Sequence, residues 1–133
     1  MQVIGIDEGG RRVAAVPTLF YLAHCEDSLT DALLEANAAA RTLGNVAILG
    51  NSLAAYAERW SVPSWAARRG TPPPETLLRL VRSGEGREVA VSECGFPVTS
   101  AFNDTSLHTF GSGAGSALSP AGPSEKGVNP EKV

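Results

Sequence analysis

Three short polar clusters stand directly after apolar runs in this sequence. His24-Cys25 follows Thr18–Leu22, Gly50-Asn51-Ser52 follows Val46–Leu49, and Asn103-Asp104-Thr105-Ser106, with His108 just beyond, follows Val98–Phe102. Apolar runs of this length read as strands buried in a sheet, and in open parallel sheets ligands sit beyond the carboxyl ends of the strands. If the three strands are parallel neighbours, His24, Asn51, Ser52, Asn103, Asp104, Thr105 and His108 converge on one crevice. Asp104 with either histidine would then supply an acid–base pair. Gly50 would allow close backbone approach. Asn51 or Ser52 would cap the next helix, whose amino-terminal N–H groups favour an anion. Each cluster also has a plain structural use. Asn-Ser before a helix is an ordinary cap, Asn-Asp-Thr-Ser is an ordinary hydrogen-bonded turn, and a lone histidine on an apolar strand is often just a satisfied core residue.

Other chemistries fit less well. His24, Cys25, Cys94 and His108 are donors zinc would accept, but no pair has ligand spacing. Adjacent residues on an extended segment point to opposite faces, which separates His24 from Cys25 as metal ligands and as nucleophile and base. Gly111–Ser116 is glycine-rich, but its spacing is wrong for a dinucleotide fingerprint and Pro120 and Pro123 preclude a following helix. The expectation is no metal and no catalytic residue, with the cofactor, if any, unspecified.

The elements that must position the crevice alternate in period. Val3–Ile6 is a short strand candidate, followed by a turn at Asp7–Gly10. Thr18–Leu22 reads as a strand buried on both faces. Ser28 is a predicted helix cap with Asp31 in capping-box position, and Leu29, Leu33, Ala36 and Ala40 form a helical stripe that Gly44 would end. Val46–Leu49 is the second buried strand, and a helical pattern resumes over Leu53–Trp60. Gly70-Thr71-Pro72-Pro73-Pro74 is a stiff surface linker. Glu75–Val81 is a short helix, and Glu88–Val91 and Val98–Phe102 are strands. Strand, helix, strand, helix predicts an α/β fold: a Rossmann-like, mostly parallel sheet with flanking helices.

Composition sets the outer bounds. The 133 residues include 36 large apolar side chains and 19 alanines, enough for one modest core. Residues 1–110 form the expected domain. The last 23 residues, from Gly111, contain five glycines, three prolines and four serines. They read as a disordered Gly/Ser/Pro-rich tail over 111–133. The net charge is −3, and the basic residues fall in short pairs, Arg11-Arg12 and Arg68-Arg69. That excludes the basic stripe of a nucleic-acid or anionic-membrane binder. The longest near-apolar run, Val13–Ala23, is broken by Pro17-Thr18 and falls short of the ~20 residues of a spanning helix. Asp7 and Glu8 stand where a secretory signal would need positive charge, and two distant cysteines make no disulfide framework. A soluble protein of a reducing compartment is expected.

The residues that carry chemistry also carry a likeness. Pro17–Cys25, Leu33-Leu34-Glu35-Ala36-Asn37, Ile48–Ser52 and Phe102–Phe110, in this order, resemble the SRR-like domain family, named after "sensitivity to red light reduced". Ala38, Leu53 and Thr109 stand where the family usually carries an aromatic. The resemblance implies a domain incomplete at its amino terminus, because family domains begin with a further strand-and-helix portion. It also implies a non-enzymatic regulator of circadian rhythm and light-signalling input, or of haem biosynthesis, in the cytoplasm and nucleus, acting through an unidentified protein partner. The alternative from the residues themselves is a small-molecule, nucleotide-type binding protein or enzyme using the crevice. A third reading gives this chain no independent function, since a sheet lacking upstream strands would expose an edge.

Overall fold

The computed structural model describes residues 1–92, 95, 97 and 104–111. The expected strand at Val98–Phe102, together with Cys94, Asn103 and the tail from Ser112 onward, lies outside the described residues. Four strands, β1 (Thr18–Leu22), β2 (Val46–Asn51), β3 (Gly86–Ala90) and β4 (Thr105–Phe110), form one sheet in the order β1-β2-β4-β3. Four helices accompany them: α1 (Asp27–Ala39), α2 (Leu53–Trp60), α3 (Pro63–Arg69) and α4 (Glu75–Ser83). No helix among the described residues is long and apolar enough to cross a membrane.

The α/β class holds, but the sheet is mixed rather than mostly parallel. Among the described strands only β1 and β2 run parallel, and β4 is antiparallel to both β2 and β3. The Asn-Asp-Thr-Ser cluster was expected to end a strand, yet Thr105 and Ser106 begin one. Because β4 runs backwards, its start still lies beside the carboxyl end of β2, with Asn51 paired to Thr105. The polar clusters therefore meet at one end of the sheet by a different route.

Strand β1 is not buried on both faces. It is an edge strand with alternating exposure, and Leu19 and Tyr21 are 58% and 71% exposed. Phe20 and Leu22 turn inward with Val46, Ile48 and Phe110, onto a core completed by Leu33 and Leu34 of α1, Leu53, Tyr56 and Trp60 of α2, and Leu77, Leu78 and Leu80 of α4. The opposite face carries a register row of Tyr21, Leu49, Leu107 and Val89 that takes no part in this core. Among the described residues, the helices pack on the face that carries Phe20, Val46, Ile48 and Phe110.

The local signals for α1 resolve differently from expectation. Glu26, not Ser28, is the N-cap, and it makes no side-chain cap bond. Asp31 caps another helix: its Oδ1 accepts the Leu77 N–H at 2.8 Å in the first turn of α4. The helix ends at Ala39, before Gly44, and Arg41 takes a left-handed φ of 60°. Ala40, expected on the buried stripe, is the exposed C-cap. Val3–Ile6 forms no strand, and Val3, Ile4 and Ile6 are exposed. The amino-terminal segment is instead pinned through Asn37 of α1. The Asn37 side chain accepts from Ala14 N at 2.8 Å and from Thr42 Oγ1 at 2.6 Å, and donates to Arg12 O at 2.8 Å and Leu33 O at 2.9 Å. Helix α3 was not predicted. Pro63 opens it and Gly70, at φ 67°, closes it, a pairing of fixed and permissive φ that suits helix ends.

Candidate functional site

The carboxyl ends of β1 and β2 carry the candidate site, and Asn51 organises it. Its side-chain oxygen accepts the His24 N–H at 3.0 Å, and its amide donates to Cys25 O at 3.2 Å and to Tyr56 Oη at 2.8 Å. The Tyr56 hydroxyl in turn donates to Cys25 O at 2.7 Å. This network ties the turn after β1 to the end of β2 and to α2. His24 itself sits at φ 60°, a conformation in which histidine is among the more tolerant side chains. Burial, partly offset by the Asn51 amide, pushes the Tyr56 phenol above its usual range.

Gly50 serves closeness of chain to chain rather than chain to ligand. A Cβ there would stand 2.9 Å from Leu22 O on the neighbouring strand. Ser52 is the expected cap, and its Oγ accepts the Ala55 N–H at 3.1 Å. The helix amides do not remain open for an anion, however. Glu88 of β3 brings its own carboxylate there: Oε1 accepts the Ala54 N–H at 3.1 Å and Oε2 accepts the Ser106 hydroxyl at 2.9 Å. Burial alone would raise Glu88, but the donors from Ser52, Ala54 and Ser106 outweigh it and hold the carboxyl below its usual range.

His108 is buried in the sheet beside this carboxylate and away from the open crevice. A carbonyl oxygen can only accept, so His108 Nε2 carries the proton it shares with Asn51 O at 3.0 Å. Its Nδ1 lies 3.8 Å from Glu88 Oε1. Burial lowers the imidazole below its ordinary value despite the pull of Glu88. Thr105 is likewise buried. Asp104 joins the cluster through its backbone, its carbonyl accepting the Ser52 N–H at 3.1 Å, and no hydrogen bond joins its side chain to His24 or to His108 among the described residues. His24 and Cys25, at the end of β1, meet His108 only through Asn51, whose side chain holds their backbone and whose carbonyl holds the imidazole. No group of three or more His, Cys, Asp or Glu that could hold a metal ion exists among the described residues.

Beyond Asn51 opens a polar cavity of about 310 Å³. Of the expected residues it takes Asn51 and Asp104. Sequence reasoning missed the rest of its wall, notably Arg59, Trp65 and Arg69. Arg59 lies 5.6 Å over the Tyr56 ring and Arg69 4.9 Å over the Trp65 ring. Each guanidinium also faces a carboxylate, Arg59 with Asp104 at 4.0 Å and Arg69 with Asp27 at 3.5 Å. Asp27 is buried and already accepts the Trp60 indole N–H at 2.7 Å. Trp60 and Trp65 meet edge to face at 5.1 Å, which fixes α3 against α2. A larger cavity, about 470 Å³, lies between the amino-terminal segment and Phe20, Leu22, Leu29 and Leu33. It is apolar and contains none of the expected site residues.

Comparison with known proteins agrees with the likeness read from the residues. The SRR1 domain family model matches residues 1–109. Protein SENSITIVITY TO RED LIGHT REDUCED 1 of Arabidopsis thaliana is 33% identical over 116 residues, which cover 87% of this chain and 40% of that protein. The SRR1-like protein of Mus musculus is 43% identical over 53 residues, 40% of this chain and 21% of that protein. The chain thus spans two-fifths or less of the curated relatives it matches. No solved structure matches it.

Proposed function

The chain belongs to the SRR1 domain family, and from that premise we propose that it is a non-enzymatic regulatory protein feeding light signalling and circadian rhythm. The observation that carries this reading is the match over 87% of the chain to an Arabidopsis protein named for reduced sensitivity to red light. That match is why light input stands ahead of regulation of haem biosynthesis. In this reading the chain works in the cytoplasm and nucleus through a protein partner.

The test is complementation. Expression of this chain in an Arabidopsis line lacking the matched relative should restore the seedling response to red light. Accumulation of the folded protein with no change in that response would contradict the proposal.

A second reading is favoured by one observation, the polar cavity of about 310 Å³ beyond the ends of the two parallel strands. It makes the chain a small-molecule binding protein whose ligand occupies the crevice, and it is compatible with a regulatory role.

A further inference from the structure

We propose that this cavity binds a small phosphorylated metabolite, its phosphate held between the guanidinium groups of Arg59 and Arg69. The proposal rests on the crevice reading above and names the ligand class for it.

Two helices bring one arginine each to the same cavity, Arg59 from α2 and Arg69 from α3. Each guanidinium is oriented by an aromatic face beneath it, so less freedom is lost when it engages a ligand. Neither makes a hydrogen bond among the described residues. Their carboxylate neighbours, at 4.0 and 3.5 Å, are near enough to attract and too far to use the planar forks. Each guanidinium is thus positioned in a loose ion pair that leaves N–H donors suited to phosphate.

The carboxylates on the wall do not make this a cation site. Asp27 is committed to Trp60 and Arg69, Glu26 is exposed on the rim, and no metal-binding cluster exists among the described residues. The anion site offered by the first turn of α2 is closed by Glu88, so the arginines are the cavity's remaining anion-binding groups. The volume is at the small end of ligand pockets, whose range begins near 300 Å³. That admits a phosphate with a sugar-sized or nucleoside-sized body, and the Trp65 and Tyr56 rings give the body an apolar surface.

Asp104 competes with the ligand for Arg59, which gives the proposal a variant that gains affinity. Asp104 has a φ of 65°, where asparagine is well tolerated, so Asp104→Asn removes the competing charge and keeps the backbone. Isothermal titration calorimetry would use adenosine 5′-monophosphate and ribose 5-phosphate as probes, with adenosine, ribose and succinate as comparisons. Saturable binding of the phosphorylated probes is expected, weakened at least about tenfold by Arg59→Ala or Arg69→Ala. Binding should be unchanged in Arg68→Ala, whose side chain does not line the cavity, and several-fold tighter in Asp104→Asn. Equal binding of adenosine or succinate would overturn the phosphate assignment and leave the crevice reading standing. An equal loss in Arg68→Ala would reduce the effect to diffuse surface charge and overturn the site. No binding by wild type or Asp104→Asn would overturn both the assignment and the crevice reading.

Discussion

Glu88 on β3 accepts the backbone N–H of Ala54, in the first turn of α2, at 3.1 Å. One carboxylate thereby satisfies a free amide of the helix, places negative charge at its positive end and holds Ser106 of the neighbouring strand. Removing it should leave a donor on the helix and a hydroxyl on the sheet unsatisfied together. Glu88→Ala is expected to cost about 1–3 kcal/mol, read as a fall in urea midpoint. Glu88→Gln should recover part of the loss, since its amide oxygen can still accept from Ala54.

Acid should weaken the fold in two successive steps. His108 has its pKa lowered from 6.5 by burial, so the unfolded chain takes up that proton first. Its contribution is complete above the unfolded value and is lost as pH falls from there to the folded value. Glu88 is lowered from 4.5, so its contribution is present above that value and is lost as pH falls below it. Urea unfolding followed from about pH 8 to about pH 2 should therefore show one loss beginning near neutrality and another beginning below about pH 4.5. His108→Gln should remove the first step and leave the second.

Asn37 is fully buried and uses both ends of its amide, accepting from Ala14 and Thr42 and donating to Arg12 and Leu33. Asn37→Asp replaces the donor end with an oxygen facing two carbonyls. The expected cost is about 2–4 kcal/mol, because it strands buried acceptors as well as losing bonds. Hydrogen exchange should report the change first at Ala14, in the segment that Asn37 pins.

Gly50 faces the backbone of Leu22, and an added Cβ would approach Leu22 O to 2.9 Å. Gly50→Ala should push β1 from β2 and destabilise the chain by about 1–3 kcal/mol. Because the strain lies at the carboxyl end of both strands, any ligand response of the cavity should fall with it.

Much of this arrangement was legible in the residues, and the exceptions have physical causes. Strands β1 and β2 and helices α2 and α4 follow from apolar runs and helical stripes. Helix α3 has no fully buried residue, so it leaves no stripe to read. The direction of β4 was hidden because composition does not specify whether a strand runs parallel or antiparallel. Thr105, Ser106 and His108 are polar residues buried inside the strand, where turn chemistry was the natural reading. Arg59 and Arg69 looked like ordinary surface charge. One signal could have found them: Tyr56 and Arg59 are three apart and Trp65 and Arg69 four apart, the helical spacings that lay a cation over an aromatic ring. Asp31 matches a capping box for its own helix, a local signal, whereas its partner, Leu77, comes from α4.

The most direct measurement is a two-dimensional amide NMR titration of the chain with adenosine 5′-monophosphate. The account expects saturable shifts concentrated at His24–Asp27, at Asn51–Arg59 and at Trp65–Arg69, with the Trp65 indole among the largest. Shifts confined to the apolar cavity around Phe20 and Leu33, or no saturable shift at all, would contradict it.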